Sequence, residues 1–163
     1  MGRNRTISEG VHAGLLGAAV VALWFLVVDV VGGRPMHTPF ALGEAVLAVL
    51  GLQRGQGMVE VVALYTLIHV VAFTIGGILV AWMVNASDRE PSHLAGLFLL
   101  FIAFELGFHL CVYALSRRGQ FVDIAWYQVG VANVLAAIAM GRYLFRAHPG
   151  ALHRLDDALA GRT

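Results

Sequence analysis

Two ionisable residues, Glu105 and His109, lie four positions apart inside the apolar run FELGFHLC at residues 104–111. On a helix this spacing places both side chains on one face, where they can hydrogen-bond each other, bind a metal ion or pass a proton. A charged side chain near the centre of a bilayer costs about 2.5–3.5 kcal/mol on insertion scales. The pair therefore predicts either a structural hydrogen-bond cluster or a functional site.

Three further polar residues, Asp29, His69 and Asn133, interrupt other apolar stretches on faces that also carry small residues. At about 1.5 Å of rise per residue, His69, Glu105 and Asn133 lie about 14–15 Å from the outer ends of their helices. His109 lies at about 9 Å and Asp29 at about 3–5 Å on the same scale. The sequence thus predicts one intramembrane polar cluster of Asp29, His69, Glu105, His109 and Asn133.

This cluster allows three interpretations. In the first, Glu105 and His109 bond each other, while His69 and Asn133 hold neighbouring helices in register. In the second, His69, Glu105 and His109 supply the nitrogen and oxygen ligands that suit zinc, copper or iron, or two histidines bracket a haem, with Asp29 as a supporting partner. In the third, the same residues form a proton relay. The structural interpretation is favoured, because no motif fixes a ligand geometry.

The elements that must position these residues are membrane-spanning helices. Of 163 residues 59% are hydrophobic and 13% charged, with mean hydropathy +0.77, whereas soluble domains average about 25% charged residues. Stretches long enough to cross a bilayer, which takes about 20 residues, occur at 11–31, 59–84, 94–115 and 124–145. The segment at 39–50 is too short to span and predicts an interfacial or partly re-entrant helix, with Thr38 as N-cap and Gly51 as stop. We therefore predict an all-α, single-domain (1–163) four-helix transmembrane bundle with a short interfacial helix after the first span and a cytoplasmic tail at 147–163.

Small residues indicate which helix faces meet, because close packing in lipid uses them. The predicted stripes are Gly14, Ala18 and Ala22 in the first span, Ala72 and Gly76 in the second, and Gly130, Ala137 and Gly141 in the fourth. The third span instead carries a phenylalanine stripe that includes Phe104 and Phe108.

Charge and cysteine content exclude some functions. The net charge of +1, without a concentrated basic patch, argues against a nucleic-acid partner, and the single Cys111 excludes an intrachain disulfide.

Seven of the eleven arginines fall on the inner side if both termini are cytoplasmic, which favours an N-in, C-in arrangement in a bacterial inner (cytoplasmic) membrane. Trp24 is predicted to be interfacial or lipid-facing, and His37 and His148 are predicted to be solvated.

The runs VALWFLVVDVVGGRP, LIHVVAFTIGG, LFIAFELGF and ANVLAAIAMGRYLFRAHP resemble those of small, uncharacterised four-span bacterial integral membrane proteins. The resemblance implies the topology and attaches no activity. From the residues we predict a non-enzymatic membrane subunit or accessory protein in a homo-oligomer or larger membrane complex. The alternative is a metal- or haem-binding redox or proton-handling protein that uses His69, Glu105 and His109.

Overall fold

The computed structural model describes residues 3–52, 57–86 and 125–150, and several residues between 96 and 113. Within these ranges the protein is all-α, without strands. The helices whose bounds are described are α1 (Arg3–Val31), α2 (His37–Val49), α3 (Met58–Ala86) and α4 (Trp126–Ala147). The described residues between 96 and 113 are also helical. By length and composition, α1, α3 and α4 can each cross a membrane. The prediction of an all-α protein with transmembrane helices is confirmed, while most of the predicted third span and of the tail lies outside the described residues.

Helix α1 begins at Arg3, well before the predicted start of the first span at residue 11. The polar residues ahead of the apolar run continue the helix, and Arg5 bonds Glu9 one turn later, with 2.8 Å between Nε and Oε1. Such i,i+4 pairs support a helix outside lipid as well as inside it. Hydropathy locates the lipid-embedded part of a helix, whereas backbone hydrogen bonding sets its ends.

Helices α1 and α3 cross antiparallel at a close contact between glycines. A Cβ placed on Gly10 or Gly14 would lie closer than 3.0 Å to the backbone of Ile78 or Phe73, and one on Gly77 would meet the backbone of Gly10 and Gly14. The prediction of a contact face at Gly14 is therefore confirmed. On α3, however, the face is centred on Gly77, whereas Gly76 has no atom within 4 Å of an added Cβ.

Helix α4 also runs antiparallel to α1, but it uses a face other than the predicted one. Its buried residues include Val129, Ala132 and Ala136, which pack against Val21 and Phe25 of α1. The predicted stripe of Gly130, Ala137 and Gly141 lies elsewhere on the helix: Ala137 is exposed and nothing is within 4 Å of a Cβ on Gly130. In lipid an apolar face can point either way, so small residues alone did not identify the packed side.

Helix α2 folds back beside α3, where Gly43 approaches Val61. Glycines in the left-handed conformation follow α1 and α2, at Gly33 (φ 69°) and Gly51 (φ 68°). At each end the two following amides bond back to the last turn: Gly33 to Val30 and Arg34 to Asp29, and Gly51 to Ala48 and Leu52 to Leu47. This is the Schellman arrangement, and it confirms Gly51 as the stop.

The start of α2 differs from the prediction. The N-cap is Met36, in the left-handed conformation (φ 67°), and not Thr38, which already lies inside the helix. The hydroxyl of Thr38 does not cap its own helix; it bonds the carboxylate of Asp29 instead.

Candidate functional site

Asp29, the outermost member of the predicted cluster, joins the end of α1 to the start of α2. Its side chain is buried (5% exposed). Oδ2 accepts the backbone N–H of Thr38 at 2.8 Å, and Oδ1 accepts the Thr38 hydroxyl at 2.7 Å. Both oxygens therefore serve the first turn of α2, where a carboxylate satisfies an unpaired amide and complements the helix dipole.

His69 lies at the interface between α1 and α3. Its Nε2–H donates to the backbone carbonyl of Ala18 at 3.2 Å. The ring also contacts Tyr65 and Phe73 of its own helix, with centroid distances of 5.6 and 4.7 Å. His69 thus makes one hydrogen bond between α3 and α1, and the aromatic contacts of its ring lie beside that bond.

Glu105 and His109 interact as the spacing predicts, mainly through the backbone. The His109 Nδ1–H donates to the Glu105 carbonyl at 2.8 Å, and the same nitrogen lies 3.6 Å from Oε2 of the carboxylate. The other carboxylate oxygen, Oε1, is buried and has no hydrogen-bond partner among the described residues. Asn133 is half-buried on α4.

The described residues do not include any group of three or more His, Cys, Asp or Glu side chains that could hold a metal ion. The described contacts of His69 are with Ala18 of α1 and with its own helix, whereas His109 bonds within its own helix. The metal or haem site of His69, Glu105 and His109 therefore stays a prediction.

A second polar site, at the opposite end of the bundle from Asp29, was not predicted. His148 follows α4 directly and is buried (7% exposed), which corrects the prediction that it is solvated. Its Nε2 lies 2.8 Å from Oε2 of Glu9 on α1, and the other oxygen of Glu9 accepts from Arg5. The available signal was an acidic residue just before one apolar run and a histidine just after another, at ends that an antiparallel pair brings together.

A cavity of about 500 Å³ opens beside Asp29, between the last turns of α1, the start of α2 and the start of α4. Its lining is formed by Trp24, Val27, Val28, Asp29, Val31, Gly32, Arg34, His37, Thr38, Ala125 and Gln128. Nε1 of Trp24 and Nε2 of His37 are buried without a hydrogen-bond partner in the described part of the chain. No sequence pattern predicted this cavity, because its walls come from three separate segments.

Comparisons with protein-family models, with curated proteins and with solved structures give no match. The resemblance to small four-span bacterial membrane proteins therefore stays a prediction.

Proposed function

We propose that this chain is a non-enzymatic four-span membrane subunit that acts by holding an assembly together through helix contacts. The observation that carries the proposal is that four ionisable groups of the described residues, in Asp29, Glu9, His148 and His69, bond other parts of the same chain. Asp29 holds α2, the Glu9–His148 pair joins α1 to the end of α4, and His69 bonds the backbone of α1. Groups bonded in this way stabilise the packing of the helices against one another, which supports a structural role for them.

The direction of the described helices supports a fourth span between α3 and α4. Both α3 and α4 run antiparallel to α1, since Gly77 packs on Gly10 and His148 bonds Glu9. The chain therefore leaves α3 and enters α4 at opposite ends of the described helices, a separation that a fourth span would bridge. The apolar run at 94–115 has the length for this crossing.

A contact of Phe108, which belongs to that run, supports packing of the proposed fourth span against α1 and α4. Phe108 packs against the cluster that Phe25 of α1 and Ala132 of α4 help to form. In the proposed four-helix bundle, α2 lies at the membrane interface. The arginine distribution supports an N-in, C-in orientation in a bacterial cytoplasmic membrane.

The unpacked side of α4 supports association with a second copy. Ala137 is exposed and Gly130 has open space around it, as does Gly76 on α3. Small residues on an exposed face of a membrane helix let another backbone approach closely. We propose that the Gly130–Ala137–Gly141 face contributes to a homo-oligomer.

Disulfide cross-linking in native membranes tests this proposal. In a Cys111→Ser background, Ala137→Cys should yield oxidised dimers on the exposed face of α4. Ala136→Cys is the matched control, because Ala136 is the preceding residue and is buried against α1 (3% exposed). Equal cross-linking of the two variants, or none in either, would contradict association through this face.

The metal- or haem-binding redox or proton-handling alternative depends on Glu105. Its Oε1 is buried without a described partner and His109 is close by, so a metal ion or proton could occupy this position. Elemental analysis of the detergent-solubilised protein beside a His69→Ala/His109→Ala variant tests the alternative. Near-stoichiometric iron, copper or zinc that the variant loses would favour it over the structural subunit.

A further inference from the structure

We propose that the cavity at the end of α1 binds the headgroup of an anionic glycerophospholipid. The inference rests on the membrane-spanning arrangement proposed above, and it assigns a ligand to a cavity for which the subunit role names none. Three features of the cavity support it: its position at the end of the apolar run of α1, its cation, and the unpaired polar atoms of its lining residues.

The cavity lies where a lipid headgroup lies. It is bounded by the last two turns of α1 and by the Gly32–Arg34 turn that ends the apolar run. Its wall includes Val27 and Val31, which are 58% and 83% exposed and so face lipid in a membrane. An acyl chain can continue from the cavity along these valines, a route that a soluble anion does not need. The volume of about 500 Å³ falls within the range of small-molecule sites, about 300–1,000 Å³.

Arg34 supplies the positive charge. The acidic residue in the lining is Asp29, whose two oxygens are already bonded by Thr38. Arg34 has no carboxylate partner in the described part of the chain. Guanidinium groups match the geometry of phosphate oxygens, which makes an anionic phosphate the natural counter-ion.

Two buried nitrogen atoms of the lining residues are further hydrogen-bond donors for a phosphate. The Trp24 indole N–H can only donate, and His37 Nε2 donates in one tautomer. Both lack a partner among the described atoms, and an unsatisfied buried donor is costly. A phosphodiester carries several acceptor oxygens. The exposed Arg34 guanidinium can bond them directly, whereas the Trp24 indole and the His37 imidazole, whose nitrogens are covered, can do so once their side chains turn toward the cavity.

Native mass spectrometry of the full chain, released from detergent with added lipid, tests the proposal. The probes are dioleoyl phosphatidylglycerol, which is anionic, and dioleoyl phosphatidylcholine, which carries the same chains and a zwitterionic head. The wild type should retain phosphatidylglycerol in preference to phosphatidylcholine. Arg34→Gln should reduce phosphatidylglycerol retention about five-fold, the effect of one arginine near an anionic lipid surface.

Arg146→Gln is the matched control, since Arg146 is an exposed arginine in the last turn of α4, at the other end of the bundle. It should retain phosphatidylglycerol as the wild type does. Trp24→Phe keeps the aromatic packing and removes only the N–H donor, so it should also lower retention. Far-ultraviolet circular dichroism and a melting curve for each variant establish that it is folded.

Equal retention of the two lipids by the wild type would overturn the proposal, as would folded Arg34→Gln and Trp24→Phe variants that both retain phosphatidylglycerol normally. Displacement of phosphatidylglycerol by millimolar glycerol 3-phosphate would also overturn it, in favour of a soluble phosphate. These outcomes are independent of the dimer cross-link at Ala137, so failure of the lipid site and failure of the subunit proposal are distinguishable.

Discussion

At the scale of single residues, Asp29, Glu9 and His148 are buried polar residues of the described part of the chain that bond separate segments to each other. The Asp29 carboxylate accepts the Thr38 N–H, which has no intrahelical acceptor because it lies in the first turn of α2. Glu9, in α1, bonds His148, the residue that follows α4. Each bond lies near an end of the bundle, where helix termini leave backbone groups unpaired. Placing a polar residue near a helix end costs less free energy than placing it at the bilayer centre. These bonds also fix the positions of the helix ends that they join.

Replacing Asp29 by alanine should destabilise the protein by about 2–4 kcal/mol, because the buried Thr38 N–H and hydroxyl would lose their acceptor. Thermal unfolding in detergent would measure the loss. Hydrogen exchange should locate it in α2, with α4 unchanged. Glu60→Ala is the control, as Glu60 is an exposed acidic residue in the first turn of α3. Unchanged exchange in α2 of Asp29→Ala would refute the fastening role.

His148→Ala should lower stability by about 3 kcal/mol, since it leaves the Glu9 carboxylate buried without this partner. Combined with Glu9→Gln, it should show a coupling energy of about 1–3 kcal/mol in a double-mutant cycle. Arg5→Gln is the control within the same site, because the Arg5 side chain is 54% exposed; it should cost less than about 1 kcal/mol. Additive effects of the Glu9 and His148 variants would contradict the pair.

At the scale of the elements, the α1–α3 crossing is set by glycine. Gly10, Gly14 and Gly77 bring two backbones together so closely that no side chain fits between them. This contact places Ala18 beside His69 two turns further along, which allows the interhelical bond. A close approach of helix backbones in lipid gains dispersion contacts without needing a hydrophobic drive.

Gly77→Ala should destabilise the protein by about 1–3 kcal/mol, because its methyl group would overlap the backbone of Gly10 and Gly14. Gly76→Ala is the matched control: it is the neighbouring residue, and its added methyl meets open space. That substitution should be neutral, or stabilising by up to about 1 kcal/mol through helix propensity. Melting temperatures in the same detergent compare the two. A neutral Gly77→Ala would show that the helices do not cross at this glycine.

At the scale of the whole molecule, the two ends of the packed, described helices carry different polar groups. One end carries the Arg5–Glu9–His148 group, and the other carries the Asp29–Thr38 bonds and the cavity beside Arg34. Antiparallel packing of α3 and α4 on α1 creates this division. If the bundle spans a membrane, the two ends face different compartments.

The proposed N-in, C-in topology predicts the labelling of single cysteines by a membrane-impermeant maleimide in intact cells. In a Cys111→Ser background, Arg34→Cys should react from outside, since it lies in the exposed turn after α1. Ser8→Cys, exposed at the other end of α1, should react only after permeabilisation. The reverse pattern would invert the orientation, and labelling of both in intact cells would contradict a spanning α1.

The sequence by itself determined that this is an all-α protein with membrane-spanning helices. Length and hydropathy suffice for that, because in lipid each backbone polar group must be satisfied within a helix or a closed barrel. Spacing also predicted the Glu105–His109 contact, and Gly51 predicted the end of α2. These features are local, so neighbouring residues decide them.

Only the tertiary structure decided which sides of α3 and α4 are packed and which polar residues from distant segments bond each other. Hydropathy does not distinguish a lipid-facing leucine from a packed one, so the choice of Gly77 over Gly76 depended on how two backbones fit. Glu9 and His148 are 139 residues apart in sequence, and they meet because α4 returns along α1. The cavity beside Trp24 likewise depends on the tertiary structure. It lies between the end of α1 and the starts of α2 and α4, so no single segment of the sequence predicts it.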